Sequence, residues 1–187
     1  MELKTLYKRN SDPGLFHKNR NGTNCGSFAL NVTEWYTPYI EGCIEDDSLW
    51  KYEVDERARW AYDLLQDGYT AMEVMDCVTD RDFEFILKTC PWLEPIDLDE
   101  MRDTDRVIAY RLSMEVPGEV SEFDMDECGD FHFRVFFDGE WWEKNGAGPV
   151  HKVIDMSEEP WEVDDWLIYN GPVRYARFKE GEDVHIV

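Results

Sequence analysis

The chain has 187 residues, enough for one domain, and its 42 acidic and 19 basic residues give a formal net charge of −23. Hydrophobic residues make up 43% of it, with eight tryptophans, so it can bury a core and is not a disordered tail. A chain this acidic repels phosphate backbones, which argues against direct nucleic-acid binding. The sequence contains no apolar run long enough for a membrane span and no signal-peptide pattern after Met1, and its five irregularly spaced cysteines suit a reducing compartment. We therefore expect a cytoplasmic protein that does not bind membranes.

Apolar residues at helical spacing predict the helices in the first half of the chain. The first helix is predicted over residues 24–36 and the second over residues 54–66. Gly68 is expected to end the second helix. Residues 70–89 are expected to hold one or two more helices, which end before Pro91.

Strand patterns dominate the second half, at residues 107–112, 131–137, 141–144, 166–169 and 173–178. Asp138-Gly139 predicts a tight hairpin between the second and third of these strands. The last two strands are expected to pair with each other around Asn170-Gly171-Pro172. Helices followed by an antiparallel sheet predict an α+β fold.

The negative charge is concentrated in the middle of the chain. Residues 41–130 hold 27 acidic and eight basic side chains, a net charge of −19, while residues 1–40 carry a net charge of +2. One interpretation is a solvated surface that keeps the protein soluble. The other is a fixed acidic surface that attracts a basic partner or mimics nucleic acid.

Cys25 is the most informative single residue of the sequence. It follows the turn-rich segment Asn21-Gly22-Thr23-Asn24 and begins a predicted helix, where unpaired backbone amides favour the thiolate. Asn24 is the expected N-cap, and the small residues after Cys25 are expected to leave the sulfur approachable. The alternative is a buried structural cysteine, which is also the expectation for Cys43, Cys77, Cys90 and Cys128.

A thiolate nucleophile needs a base within hydrogen-bond reach and a third group that orients this base. His132 lies on the predicted strand 131–137, on the face opposite its flanking phenylalanines, whereas His151 is expected in a loop. His17 and His185 lie near the termini and are expected to be solvated. The alternative for His132 is a hydrogen-bonded histidine of the sheet.

The predicted hairpin supplies the third group. If its strands pair around Asp138-Gly139, Glu143 returns beside the start of the first strand, where its carboxylate can hold the imidazole of His132. The sequence therefore predicts Cys25 as nucleophile, His132 as base and Glu143 as the residue that orients the base.

Two blocks of sequence resemble a known group of enzymes. Asn24-Cys25-Gly26-Ser27-Phe28-Ala29-Leu30-Asn31 is similar to the N-C-x-x-[YF]-A-L-N nucleophile segment of papain-like, NlpC-type cysteine hydrolases of bacteria and phages. Asp130-Phe131-His132-Phe133-Arg134 and the segment from Asp138 to Gly146 resemble that group's D-[YF]-H-[FW]-Y-R … D-G-x-W-S-H-K-x-G block. The resemblance is confined to these two blocks, and the acidic middle has no counterpart in the group.

The resemblance implies a single papain-like domain over residues 1–187, with an acidic, mainly helical insertion at about 41–105. It implies acyl transfer through a thioester on a peptide or side-chain amide, with an oxyanion donor from the backbone of Cys25 and support from Asn24. Glu143 departs from the pattern, because the group has a second histidine there. If a phage encodes the chain, the expected location is the cytoplasm of its host cell.

Other kinds of site find little support. Asp124–Asp130 begins like a calcium loop, but Val135 stands where a bidentate glutamate is needed, and no C-x-x-C pair completes a zinc site. We expect no metal and no organic cofactor.

The net charge favours a basic protein or peptide as substrate or partner. Two alternatives to the enzyme stay open: a non-enzymatic acidic inhibitor or nucleic-acid mimic, and a structural or assembly protein with a core cysteine.

Overall fold

The structure is a computed structural model that describes residues 24–32, 36, 49–124, 129–146, 148–157, 159–163 and 167–179. For residues 49–56 and residue 167 it describes the backbone alone. Three helices come first: α1 (Cys25–Leu30), α2 (Leu49–Gln66) and α3 (Ala71–Thr89). The strands that follow are β1 (Leu93–Ile96), β2 (Val107–Ser113), β3 (Asp130–Phe137), β4 (Glu140–Lys144), β5 (Val150–Lys152), β6 (Trp161–Val163), β7 (Leu167–Tyr169) and β8 (Arg174–Phe178).

Six of these strands form one antiparallel sheet in the order β1-β8-β2-β3-β4-β5, and β6 pairs with β7 in a separate two-stranded sheet. Helices toward the N-terminus and an antiparallel sheet toward the C-terminus confirm the α+β expectation. The register sets Arg134 of β3 opposite Glu143 of β4, and Arg111 of β2 opposite His132 of β3.

The large sheet buries both of its faces, and this determines where the site residues point. One face packs on α1 and α3 in a core that includes Cys25, Ile86, Phe133 and Val135. The other face packs on the two-stranded sheet, through a cluster that includes Trp161 and Tyr169. Because successive side chains of a strand point to opposite faces, neighbouring residues of β3 belong to different layers of the molecule.

Local sequence signals explain most helix ends. α3 begins at a capping box in which Thr70 and Glu73 bond each other's backbone amides, and it forms one helix that ends before Pro91. α2 starts before the predicted residue 54 and ends before Gly68, whose φ of +89° suits glycine. α1 is shorter than predicted, because Asn31 takes the left-handed conformation and ends the helix after Leu30.

The hairpin prediction is confirmed, whereas the pairing of the last two strands is wrong. Asp138 and Gly139 both have positive φ, as a type I′ turn between β3 and β4 requires. β7 and β8 do not pair with each other: β7 pairs with β6, and β8 runs between β1 and β2. Within the predicted insertion at 41–105, β1 forms one edge of the large sheet. Among the described residues, no helix is long and apolar enough to cross a membrane.

Candidate active site around Cys25, His132 and Glu143

Asn24 caps the helix that begins at Cys25, as the sequence predicts. Its side-chain oxygen accepts a hydrogen bond from the backbone amide of Ser27 at 3.0 Å, and the Ser27 hydroxyl accepts one from the backbone amide of Asn24 at 3.4 Å. The Asn24 side-chain nitrogen donates to the carbonyl oxygen of Tyr36 at 2.5 Å. Both polar atoms of this side chain are therefore occupied in holding the start of α1 together.

The thiol of Cys25 is enclosed by protein. The residue is 5% exposed, and the thiol donates to the carbonyl oxygen of Phe131 at 3.8 Å. Burial, with a smaller contribution from the Asp130 carboxylate, raises the pKa of Cys25 to about 12. The amides of Phe133, Gly26 and Cys25 lower this pKa, but by less than burial raises it. The thiol is therefore protonated at neutral pH, the opposite of what a helix start alone predicts.

The small residue after Cys25 makes room for packing inside the protein. A Cβ atom on Gly26 would lie 2.6 Å from Cδ1 of Tyr36, whose side chain is fully buried. Gly26 therefore accommodates the Tyr36 ring, and its small size does not open the sulfur to solvent.

Glu143 joins three cationic or titratable side chains on the opposite face of the sheet. Its Oε2 lies 3.1 Å from Nε2 of His132 and accepts a hydrogen bond from Nε of Arg134 at 2.8 Å. Its Oε1 lies 3.0 Å from Nε2 of His151. Burial alone would raise the pKa of Glu143, but hydrogen bonds and charge from His132 and Arg134 outweigh it and lower the pKa to about 2.

His132 and Glu143 therefore meet as predicted, with two partners that the sequence analysis did not assign. His151 lies on β5 and not in a loop, with its side chain about half exposed. Arg134 is buried and also stacks on Trp161, with its guanidinium carbon 4.3 Å from the ring centre. The alternation of β3 could have identified Arg134, since residues 132 and 134 share one face.

Cys25 and His132 pack in different clusters, and no hydrogen bond joins them. The thiol packs with Phe133 in the core under α1, whereas the imidazole lies 5.1 Å from the ring of Tyr169 and 6.4 Å from that of Trp161. The hydrogen bonds of the two residues run to other partners, Phe131 for the thiol and Glu143 for the imidazole. The structure thus brings together His132 and Glu143 but not Cys25 and His132, and the catalytic roles stay a prediction.

Lys144 is the cationic residue of β4 on the side of the thiol. It is almost fully buried, and its ammonium donates to the carbonyl oxygens of Gly146 at 2.8 Å and Gly148 at 2.6 Å. Burial lowers its pKa, and the nearby Cys25 opposes this shift. The same alternation predicts this position, because Lys144 follows Glu143 and must point to the other face.

Of the remaining cysteines, the structure describes Cys77 and Cys90, and neither adds a partner to this group. Cys90 is buried, which raises its pKa to about 12, and Cys77 is half-buried on α3. The predictions for Cys43, Cys128, His17 and His185 lie outside the described residues. Within the described part of the chain, no group of three or more histidine, cysteine or acidic side chains is placed to hold a metal ion.

Comparisons with known proteins give no match to this chain, either among protein-family models, among curated proteins or among solved structures. The function is therefore argued from the geometry and the two sequence blocks.

Proposed function

We propose that the chain is an acidic, non-enzymatic binding protein for a basic protein partner, built on a scaffold that resembles a papain-like hydrolase. The surroundings of Cys25 carry this proposal: the thiol bonds the carbonyl oxygen of Phe131 and not the imidazole of His132, which bonds Glu143, and burial keeps the thiol protonated at neutral pH. A protonated thiol without an adjacent base is not an acyl-transfer nucleophile.

The charge of the molecule supports the choice of partner. The chain carries −23 overall, and between α2 and residue 124 its carboxylates are held on a folded framework. The exposed acidic residues of this region are Asp63, Asp67, Glu73, Asp76, Asp80, Glu84, Asp97, Asp99, Glu100, Asp103, Glu115, Glu119, Glu122 and Asp124. A fixed surface of one sign attracts an oppositely charged protein and accelerates its association.

The test is affinity capture from an extract of the source cells, followed by reassembly of the complex from purified components. We expect wild type and Cys25→Ala to capture the same basic protein with the same affinity. This affinity should fall as salt rises from about 50 to 500 mM, a range over which the Debye length shrinks about threefold. A captured protein that wild type cleaves or acylates, and that Cys25→Ala leaves intact, would contradict the proposal.

A second candidate is the cysteine hydrolase that the two sequence blocks imply. It is supported by the arrangement of elements, because α1 starts at Cys25 and packs on β3 and β4, which carry His132 and Glu143. The chemistry would be attack of the sulfur on an amide carbonyl, release of the amine after protonation, and hydrolysis of the thioester by water. It requires that the thiol meet a base, which the described geometry does not provide.

Alkylation by iodoacetamide, followed residue by residue by mass spectrometry, separates the two candidates. For a binding protein, the half-buried Cys77 reacts before Cys25 at about pH 7.5, and His132→Ala leaves the rate at Cys25 unchanged. For a hydrolase, Cys25 reacts first and His132→Ala slows it. His151→Ala is the matched control, since His151 also bonds Glu143 but is half exposed.

A further inference from the structure

We infer that a groove beside the start of α3 binds a cationic amphipathic segment of the partner protein. We call it the methionine groove; it consists of two adjoining clefts between α3, residues 114–124 and residues 170–173. This inference rests on the proposed function and names the surface and the chemistry of the contact.

Apolar side chains form one part of the larger cleft, which we call the floor of the methionine groove. The larger cleft has a volume of about 530 Å³, and its apolar lining includes Met72, Met75, Met114, Val116 and Val173. Met72 is 76% exposed, although methionine is usually buried. Flexible, polarisable methionine side chains adapt to apolar groups of different shapes, which suits a surface that receives leucine or phenylalanine side chains.

The second cleft places carboxylates next to this floor. It has a volume of about 330 Å³, shares Val116 and Asn170 with the first cleft, and is lined by Glu115, Glu122 and Asp124. Within the described part of the chain, Glu115 and Glu122 have no ion-pair or hydrogen-bond partner on their side chains. Lysine or arginine side chains of a bound segment would pair with them.

Arg111 lies in the wall of the larger cleft, where Glu159 compensates its charge. It is 5% exposed, its Nε donates to the carbonyl oxygen of Gly171 at 2.6 Å, and its Nη2 pairs with Glu159. Its Nη1 is buried and has no hydrogen-bond partner among the described residues. Glu159 offsets the charge of Arg111, so the cleft does not repel a cationic segment.

These features together select the occupant. The apolar floor alone would accept many hydrophobic segments, including a second copy of this chain. The carboxylates of Glu115 and Glu122, which we call the rim, would repel a second copy because the chain itself is acidic. A segment with apolar side chains on one side and lysine or arginine on the other can pack on the floor and form ion pairs with the rim.

The probe for this inference is a fluorescein-labelled peptide of leucine and lysine, about 14 residues long, with leucines at helical spacing. Its controls are a scrambled peptide of the same composition and an oligolysine of the same length. Fluorescence anisotropy at about 150 mM salt gives each affinity. We expect the amphipathic peptide to bind at least about tenfold more tightly than either control.

Two double variants with the same change of charge locate the site. Glu115→Lys with Glu122→Lys acts on the rim, and Glu84→Lys with Asp99→Lys acts on exposed carboxylates outside both clefts. The rim variant should weaken binding at least about tenfold, against about twofold or less for the control. Met72→Lys, at an exposed position in the larger cleft, should weaken binding as well. Circular dichroism verifies that each variant is folded.

The outcomes separate this inference from the proposed function. Equal weakening by the two double variants, or no preference for the amphipathic peptide, overturns the methionine groove. If the natural basic partner still binds the rim variant with unchanged affinity, the groove is again overturned while the binding function stands. If wild type captures no basic partner from the extract, the proposed function itself fails.

Discussion

Glu143 shows how the site is held together at the scale of single residues. Its buried carboxylate contacts His132, Arg134 and His151. Burial alone would raise the pKa of Glu143, but the hydrogen bonds and charges of His132 and Arg134 outweigh burial and lower this pKa to about 2. A carboxyl group whose pKa is lower in the folded than in the unfolded state stabilises the fold above its unfolded pKa. That contribution is lost as pH falls through the folded value.

We therefore predict that Glu143 contributes to the acid sensitivity of the protein between about pH 4.5 and pH 2. A shift from 4.5 to about 2 corresponds to a contribution on the order of 3 kcal/mol at neutral pH. Glu143→Gln should lower the free energy of unfolding at pH 7 and flatten its dependence on pH in this window, as urea unfolding measures. Glu140→Gln on the same strand, where the carboxylate is half exposed and pairs with Lys152, should change both quantities little. A pH dependence that is unchanged in Glu143→Gln would contradict this account.

Gly26 gives a second prediction at this scale. Alanine at this position would bring its Cβ to within 3.0 Å or less of two Tyr36 side-chain atoms, and the ring is enclosed in the core. We expect Gly26→Ala to destabilise the fold by about 1–3 kcal/mol. The clash with Tyr36 outweighs the gain that alanine brings in helix propensity. Gly118→Ala is the control, because no atom lies within 4 Å of the added Cβ. Equal unfolding free energies for the two variants would mean that Gly26 is not needed for packing.

The residue scale also shows what the sequence could and could not establish about the site. The cap by Asn24 and the meeting of His132 with Glu143 follow from local pattern and hairpin register, and the structure contains both. The alternation of β3 predicts that His132 and its flanking phenylalanines point to opposite faces, but it does not predict which face α1 covers. The pKa of Cys25 could not be predicted either, because burial depends on residues distant in sequence.

At the scale of elements, the turn between β3 and β4 sets the register that joins Glu143 to His132. Asp138 and Gly139 have φ values of +54° and +77°, which are costly for most residues. Gly139→Ala should therefore lower the free energy of unfolding by about 1–2 kcal/mol, and Asp138→Asn should leave it unchanged or raise it slightly. Thermal unfolding monitored by circular dichroism gives both values. A neutral effect of Gly139→Ala would indicate that the register is fixed by the strands and not by the turn.

The elements that the sequence missed are short or depend on distant partners. β1, β5 and β6 have only three or four residues each, too few for a clear alternation. The pairing of β7 with β6, and of β8 with β1 and β2, joins segments whose contacts the turn residues at 170–172 do not determine. By contrast, α3 and the β3–β4 hairpin carry their own signals in a capping box, a following proline and an Asp-Gly turn.

At the scale of the whole molecule, the net charge of −23 opposes folding. The chain has 42 acidic and 19 basic residues, so repulsive pairs of surface charges outnumber attractive ones. Ion pairs at the surface, such as Arg174 with Asp80 and Lys152 with Glu140, stabilise the fold only slightly, because each contributes about 0–1 kcal/mol to the free energy of unfolding. Net self-repulsion therefore lowers the stability of the compact state at low salt.

We predict that sodium chloride stabilises the protein at pH 7. Raising its concentration from about 10 to 500 mM shortens the Debye length from about 30 Å to well under 10 Å, which screens repulsion between distant carboxylates. The unfolding temperature should rise by several degrees, since about 1 kcal/mol shifts it by about 2–4 °C in a chain of this size. Near the sequence pI of about 4.3 the net charge vanishes, and the same salt series should change the unfolding temperature little. An unfolding temperature that falls with salt at pH 7 would mean that ion pairs outweigh self-repulsion, and that the acidic surface is internally compensated and not poised for a basic partner.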